Sequence, residues 1–181
     1  MITAATEQSP VLMGLLLGGV IKMICTSPLS SMALTAMLGL TGLPMGIAAI
    51  ACFGGSFTNG VIFKMLDFGD NSNVAAVMME PLTQAHIITK HPIPIYCSNF
   101  FGGGFSGVAA AFLGIINNAP GTASPIPGLL APFAFNPPLK VLMALLLAAI
   151  SGTLAGIVGA IAFKKKYDIK PELSVINSFE E

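Results

Sequence analysis

Three long stretches of this chain carry no charge: residues 23–63, 92–139 and 141–163 contain no Asp, Glu, Lys or Arg. A helix needs roughly 20 mostly apolar residues to cross ~30 Å of hydrocarbon. A chain that withholds charge for so long cannot cover its surface with water-seeking groups. Composition agrees. The 181 residues are 54% hydrophobic and 9% charged, with a mean hydropathy of +0.84, where a soluble domain is about 25% charged. The expected class is an all-α integral membrane protein embedded in a lipid bilayer. Eight basic residues balance eight acidic ones, and every basic residue is Lys. The lack of Arg argues against nucleic acid, whose bases and phosphates Arg reads best. Cys25, Cys52 and Cys97 lie far apart inside apolar stretches without CxxC spacing. They read as small buried residues, not as a disulfide framework or a metal site.

The pattern predicts four full spans, near residues 11–27, 42–63, 93–116 and 141–163. The N-terminus lacks a basic region before Val11 and carries Glu7 instead, so it reads as a leader into a permanent span. Two apolar pieces remain. Residues 29–41 are too short for a helical crossing at ~1.5 Å per residue. Residues 117–138 hold Pro120, Pro125, Pro127, Pro132, Pro137 and Pro138, too many for a straight helix. Both are expected to be re-entrant or broken elements lining an internal site, because irregular backbone survives at membrane depth only inside protein or beside water. The TSPL run at 26–29 resembles ASPI at 123–126, a faint sign of a repeat of span, broken element and span. A single membrane domain is expected over residues 1–170, with a tail at 171–181.

Lysines orient the spans. Lys64 and Lys90 flank the loop between spans two and three, and Lys164, Lys165, Lys166 and Lys170 follow span four. The positive-inside rule makes both termini cytoplasmic. Lys22 fits this scheme poorly; it either snorkels to the outer interface or faces an internal cavity. Small residues recur every fourth position in span four: Ala144, Ala148, Gly152, Gly156 and Ala160. Such a ridge lets backbones approach closely. It serves either general packing or a two-fold contact, and a homodimer is expected from it.

Polar chemistry concentrates in residues 70–92, an expected amphipathic segment at the cytoplasmic side. Glu80 follows an apolar run and could accept a hydrogen bond or a proton from a hydroxyl. Gln84 and His86 stand nearby. Asn117 and Asn118 open the Pro-rich piece, and their amides can both donate and accept. The candidate substrate-binding residues are therefore Glu80, Gln84, His86, Asn117 and Asn118. Each also has a plainer reading as a solvated or capping group. His86 and His91 are five apart, not the four that suits two metal ligands on one helical face. No HExxH, Walker A, GxSxG or GxGxxG pattern occurs, so no catalytic motif is self-contained and no cofactor or metal is expected.

Several short runs carry a family resemblance. QAHIITKHP at 84–92 is similar to a Gln…Ile-x-Lys-x-Pro signature. INNAPG at 116–121 with GLLA at 128–131, and LTGLPMGIAAIA at 40–51, fit the same family. It is the small EIIC-like membrane family of the bacterial phosphotransferase system. The chain is about half the length of a usual member, and it has His86 and His91 where the family leads one to expect other polar groups. Glu80-Pro81 resembles the Glu-Pro dipeptide of sugar-phosphorylating EIIC subunits. The resemblance implies a membrane protein that binds or translocates a sugar or similar small molecule, with a soluble EIIB-type phosphoryl donor as partner. Without Arg, the groups able to face a phosphoryl group are Lys22, Lys90, His86 and His91. Two alternatives stand beside this reading: a ligand-binding sensor with the same fold and no transport, and a structural or lipid-binding membrane protein.

Overall fold

The computed structural model describes residues 1–27, 29–119 and 135–164. Its elements are helices: α1 (Ile2–Gln8), α2 (Pro10–Thr26), α3 (Ser31–Met37), α4 (Gly42–Met65), α5 (Asn71–Met79), a 3-10 turn (Pro81–Gln84), α6 (Ala85–Ile88), α7 (Pro92–Leu113) and α8 (Pro138–Lys164). Among the described residues there is no strand, only two isolated bridges, Gly42 with Asn117 and Ile116 with Asn136. Proline opens α2, α7 and α8, where its missing N–H costs nothing and its φ suits the helix. The four long helices fall within a few residues of the expected spans. By length and apolar composition, α4 and α8 qualify as membrane-crossing helices, while α2 is a shorter apolar helix. The tail at 171–181 and most of the Pro-rich piece, including both residues pairs of the second TSPL-like run, lie outside the described residues.

α4 is the central helix, and close contacts show how the others run along it. Gly46 meets Ile115, Gly54 meets Ser106, and Thr58 meets Gly102, so α7 is antiparallel to α4. Gly54 meets Ala148 and Gly152, and Thr58 and Val61 meet Gly156, so α8 is parallel to α4. Gly14 and Gly18 of α2 lie on Gly107 and Gly103, with Gly19 on Phe100, which makes α2 antiparallel to α7. Thus α2, α4 and α8 share one direction. The chain leaves α2 at one end of the bundle and re-enters α4 at the other, where Gly42 and Asn117 exchange backbone hydrogen bonds of 2.8 and 3.0 Å.

That geometry corrects two expectations. Residues 29–41 do not dip and return. They carry the chain back along the bundle as a broken element, with the seven-residue α3 in its middle. Seven of its residues form α3, and the non-helical residues on either side carry the chain further per residue than the ~1.5 Å rise of a helix. The second correction concerns the termini. With α2 and α8 parallel, the start of α2 and the end of α8 at Lys164 lie at opposite ends of the bundle, so the two cannot share one side.

The small-residue ridge of α8 also finds its partner inside the molecule. Ala144, Ala148 and Ala160 are buried, and a Cβ on Gly152 would overlap the Gly54 carbonyl of α4. The motive for placing a homodimer contact on this ridge therefore falls. The opposite face of α8 exposes Leu139, Leu142, Met143, Leu146, Ile150, Leu154, Val158 and Ile161, an apolar strip suited to hydrocarbon. Gly152→Leu is expected to lower the thermal stability of the detergent-solubilised protein, by about 1–3 kcal/mol or more, without changing its oligomeric mass. Unfolding curves and light scattering on the same sample check this.

Candidate ligand site at the buried end of α2

Helix α2 stops early. It ends at Thr26, level with Asn59 by its register against α4 (Gly18 on Ala51, Lys22 on Gly55), while α4 continues to Met65. Its last carbonyls are partly satisfied locally: Ser27 Oγ donates to Ile24 O at 2.7 Å, and Thr26 Oγ1 donates to Lys22 O at 3.0 Å. The space beyond is taken by the segment from α5 to α6, whose 3-10 turn touches α2. Both α3 of the broken element and the 3-10 turn after Glu80 touch α2. The end of one helix, the broken element and the Glu80 turn therefore converge.

Lys22 is fully buried, with 0% of its surface exposed. Its stem threads a slot made by glycines on two other helices. A Cβ on Gly55 would overlap Cγ, Cδ and Cε of Lys22, and a Cβ on Gly103 would overlap its Cβ. The Nζ donates to the Cys52 carbonyl at 3.5 Å, the same carbonyl that accepts from Ser56 Oγ at 3.1 Å. Lys22 therefore lies packed inside the bundle and does not reach out to an interface. One turn further along, Asn99 Nδ2 donates to Asn59 Oδ1 and to Ile95 O. Both amides are fully buried, and among the described residues Asn59 Nδ2 and Asn99 Oδ1 have no hydrogen-bond partner. Thr58 Oγ1 donates to Gly152 O at 2.8 Å, and the Ser106 and Ser151 hydroxyls pair at 3.1 Å, continuing the polar seam between α4, α7 and α8.

The expected site residues do not gather. Glu80, Gln84 and His86 lie at the end where α4 and α8 finish. Asn117 and Asn118 follow α7 at the other end, roughly 33 Å away along its 22 residues. Glu80 is exposed, and its carboxylate accepts from Leu82 N at 3.4 Å. Gln84 is buried, its Oε1 accepting from Asn73 Nδ2 at 2.8 Å, so it ties the turn to α5. His86 is exposed. Asn117 is buried, and its Oδ1 accepts from Ala119 N at 2.9 Å, while its backbone joins Gly42. Asn118 is exposed. Lys22 is among the groups that the sequence offers to a phosphoryl group, whereas the buried Asn59–Asn99 pair is not among its candidates. The signal for the asparagines is polar residues set close to glycines in the runs FGGSFTN and SNFFGGG, inside charge-free stretches.

The segment between α4 and α7 is a folded cap. Asp70 opens α5 with a capping box, accepting from the N–H groups of Ser72 and Asn73 at 2.9 Å each. The Ser72 hydroxyl, then the Asn73 N–H, hold its carboxyl below the usual carboxylate range. Lys64 donates to Asn71 Oδ1 at 2.8 Å. His91 stacks on Phe68 with ring centroids 4.2 Å apart. Burial, and secondarily the neighbouring Lys90 charge, push the His91 imidazole below its ordinary value. Because the folded-state value is lowered, the neutral ring stabilises the fold above the unfolded histidine's value, and that contribution is lost as pH falls through the folded one. Acidification below about pH 6.5 should therefore loosen this cap, and His91→Phe should remove that part of the pH dependence. Hydrogen exchange of the amides between Phe68 and Pro92 measures it.

A protein-family model described as "Phosphotransferase system, EIIC" matches residues 1–174 of the chain. No curated protein and no solved structure matches it.

Proposed function

We propose that this chain, which belongs to the phosphotransferase-system EIIC family, holds a sugar at the end of the bundle where α2 stops, and presents it there to a phosphoryl donor. Membership makes it a membrane component of that system, a family that works with an EIIB partner. The site and the chemistry are our reading. One observation carries it: the Glu80 turn packs against the buried end of α2, and it does so at the end of the bundle that bears Lys64, Lys90 and Lys164.

In this reading Glu80 is the carboxylate that accepts the proton of a sugar hydroxyl. The freed oxygen attacks phosphorus, and the bond between phosphorus and its carrier on EIIB breaks with its electron pair leaving to the carrier. Positioning and charge are most of what such a transfer needs. The lysines at this end give a field suited to an anionic donor, and by the positive-inside rule they face the cytoplasm. His86 is the further polar group within the same turn-and-helix segment. Gln84, Asn117 and Asn118 stand outside the proposed site, because the first is engaged with Asn73 and the asparagines are at the far end.

Glu80→Gln should cut phosphorylation-coupled uptake of labelled sugar into vesicles by about 100-fold or more. Thermal stability should stay unchanged, since the side chain is exposed and its one hydrogen bond is long. Coupled uptake at the wild-type rate would remove Glu80 from the reaction. Wild-type protein that binds sugar and never phosphorylates it would instead be a sensor with this fold.

A further inference from the structure

The geometry points to an oxyanion-binding post at Lys22: the sugar held by this chain carries a carboxylate or a phosphate group, which pairs with the Lys22 ammonium. The inference rests on the sugar-site reading above and adds the charge of the ligand to it.

The first ground is that Lys22 is built in, not tolerated. Two glycines on two different helices, Gly55 and Gly103, clear the path of its stem. A methyl group at either position would collide with it. A chain that only needed a helix contact there would fill this slot with an apolar side chain of similar volume, which is often at least as stable as a buried charge. The second ground is that the ammonium is underused. It has three donors, and among the described residues it makes one hydrogen bond, a 3.5 Å contact to a carbonyl that Ser56 already occupies. An ionisable group at membrane depth ordinarily pairs or lines a ligand path. The third ground is position. Lys22 lies one helical turn inside the end of α2, the helix that the turn following Glu80 touches.

A neutral sugar would leave the ammonium without a counter-charge. A sugar that carries its own oxyanion supplies one, and charge-assisted hydrogen bonds are roughly twice as strong as neutral ones. Its hydroxyls then remain for Glu80. The oxyanion has two possible sources: a carboxylate on the incoming substrate, or the phosphate of the product after transfer. Lys22 is sealed from solvent here, so the ligand reaches it in a more open arrangement of the end of α2.

The test is equilibrium binding of labelled gluconate, glucose 6-phosphate and glucose to the purified full chain in detergent. Wild type should bind an anionic probe at least about tenfold tighter than glucose. Preference for gluconate identifies an acidic substrate, and preference for glucose 6-phosphate identifies a retained product. Lys22→Met should weaken the anionic probe by about tenfold or more and leave glucose unchanged. Removing a buried charge should not lower thermal stability, so the variant is expected to fold. Gly55→Ala, which displaces the stem and keeps the charge, should weaken the same probe. Equal binding of all three probes by wild type, or an anion preference that survives Lys22→Met, overturns the inference. In either case the sugar-site reading stands or falls separately, on Glu80→Gln. Failure of all three probes to bind overturns both.

Discussion

Backbone-to-backbone contact around α4 is the constraint on which the rest of the structure depends. Lipid tails are as apolar as Leu, so helices in a membrane gain little by burying apolar side chains against one another. They gain by close packing and by hydrogen bonds that only close approach permits. Here Gly46 admits α7, Gly54 admits both α7 and α8, and Gly55 admits the Lys22 stem from α2. With the backbones that near, Thr58 reaches the Gly152 carbonyl and Ser106 reaches Ser151. Bulk at any of these positions separates the helices and strands the hydroxyls without partners.

The same contacts dictate the direction of every long helix, and that has a chemical consequence. Because α2 runs parallel to α4, the chain must travel back between them through residues 29–41. A 24-residue α4 beside a 17-residue α2 leaves the end of α2 inside the bundle. A helix end buried in this way brings unsatisfied carbonyls with it. Ser27 and Thr26 answer some of them, and the α5–α6 cap closes the space above. The meeting of α2, α3 and the turn after Glu80 follows from that truncation.

Much of this fold was legible in the residues. Charge-free runs and N-terminal prolines locate α2, α4, α7 and α8 to within a few positions, because hydropathy and helix starts are local signals. The family could also be read from short runs of residues. Directions were not legible. Residues 29–41 are too few for one helical crossing, so helix arithmetic reads them as a re-entrant or broken element; the structure makes them a broken one, α3 with non-helical residues on either side. Reading them as a dip puts the start of α2 and the end of α8 at the same end of the bundle; Glu80 and Asn117 are a separate matter, since α7 holds them at opposite ends whichever way residues 29–41 run. The ridge on α8 was visible as a pattern, but its partner, Gly54 on α4, is a matter of tertiary packing. The Lys22 slot is harder still, since Gly55 and Gly103 are remote in sequence and ordinary in type.

The account turns on α2 and α8 being parallel, with residues 29–41 as a return crossing. The most direct measurement is sided labelling of single cysteines placed at Ser9, before α2, and at Ser72, in the cap after α4, in sealed vesicles of known orientation. The account predicts that an impermeant thiol reagent reaches the two sites from opposite sides of the membrane. Labelling of both from the same side would contradict it, because α2 would then have to run antiparallel to α4.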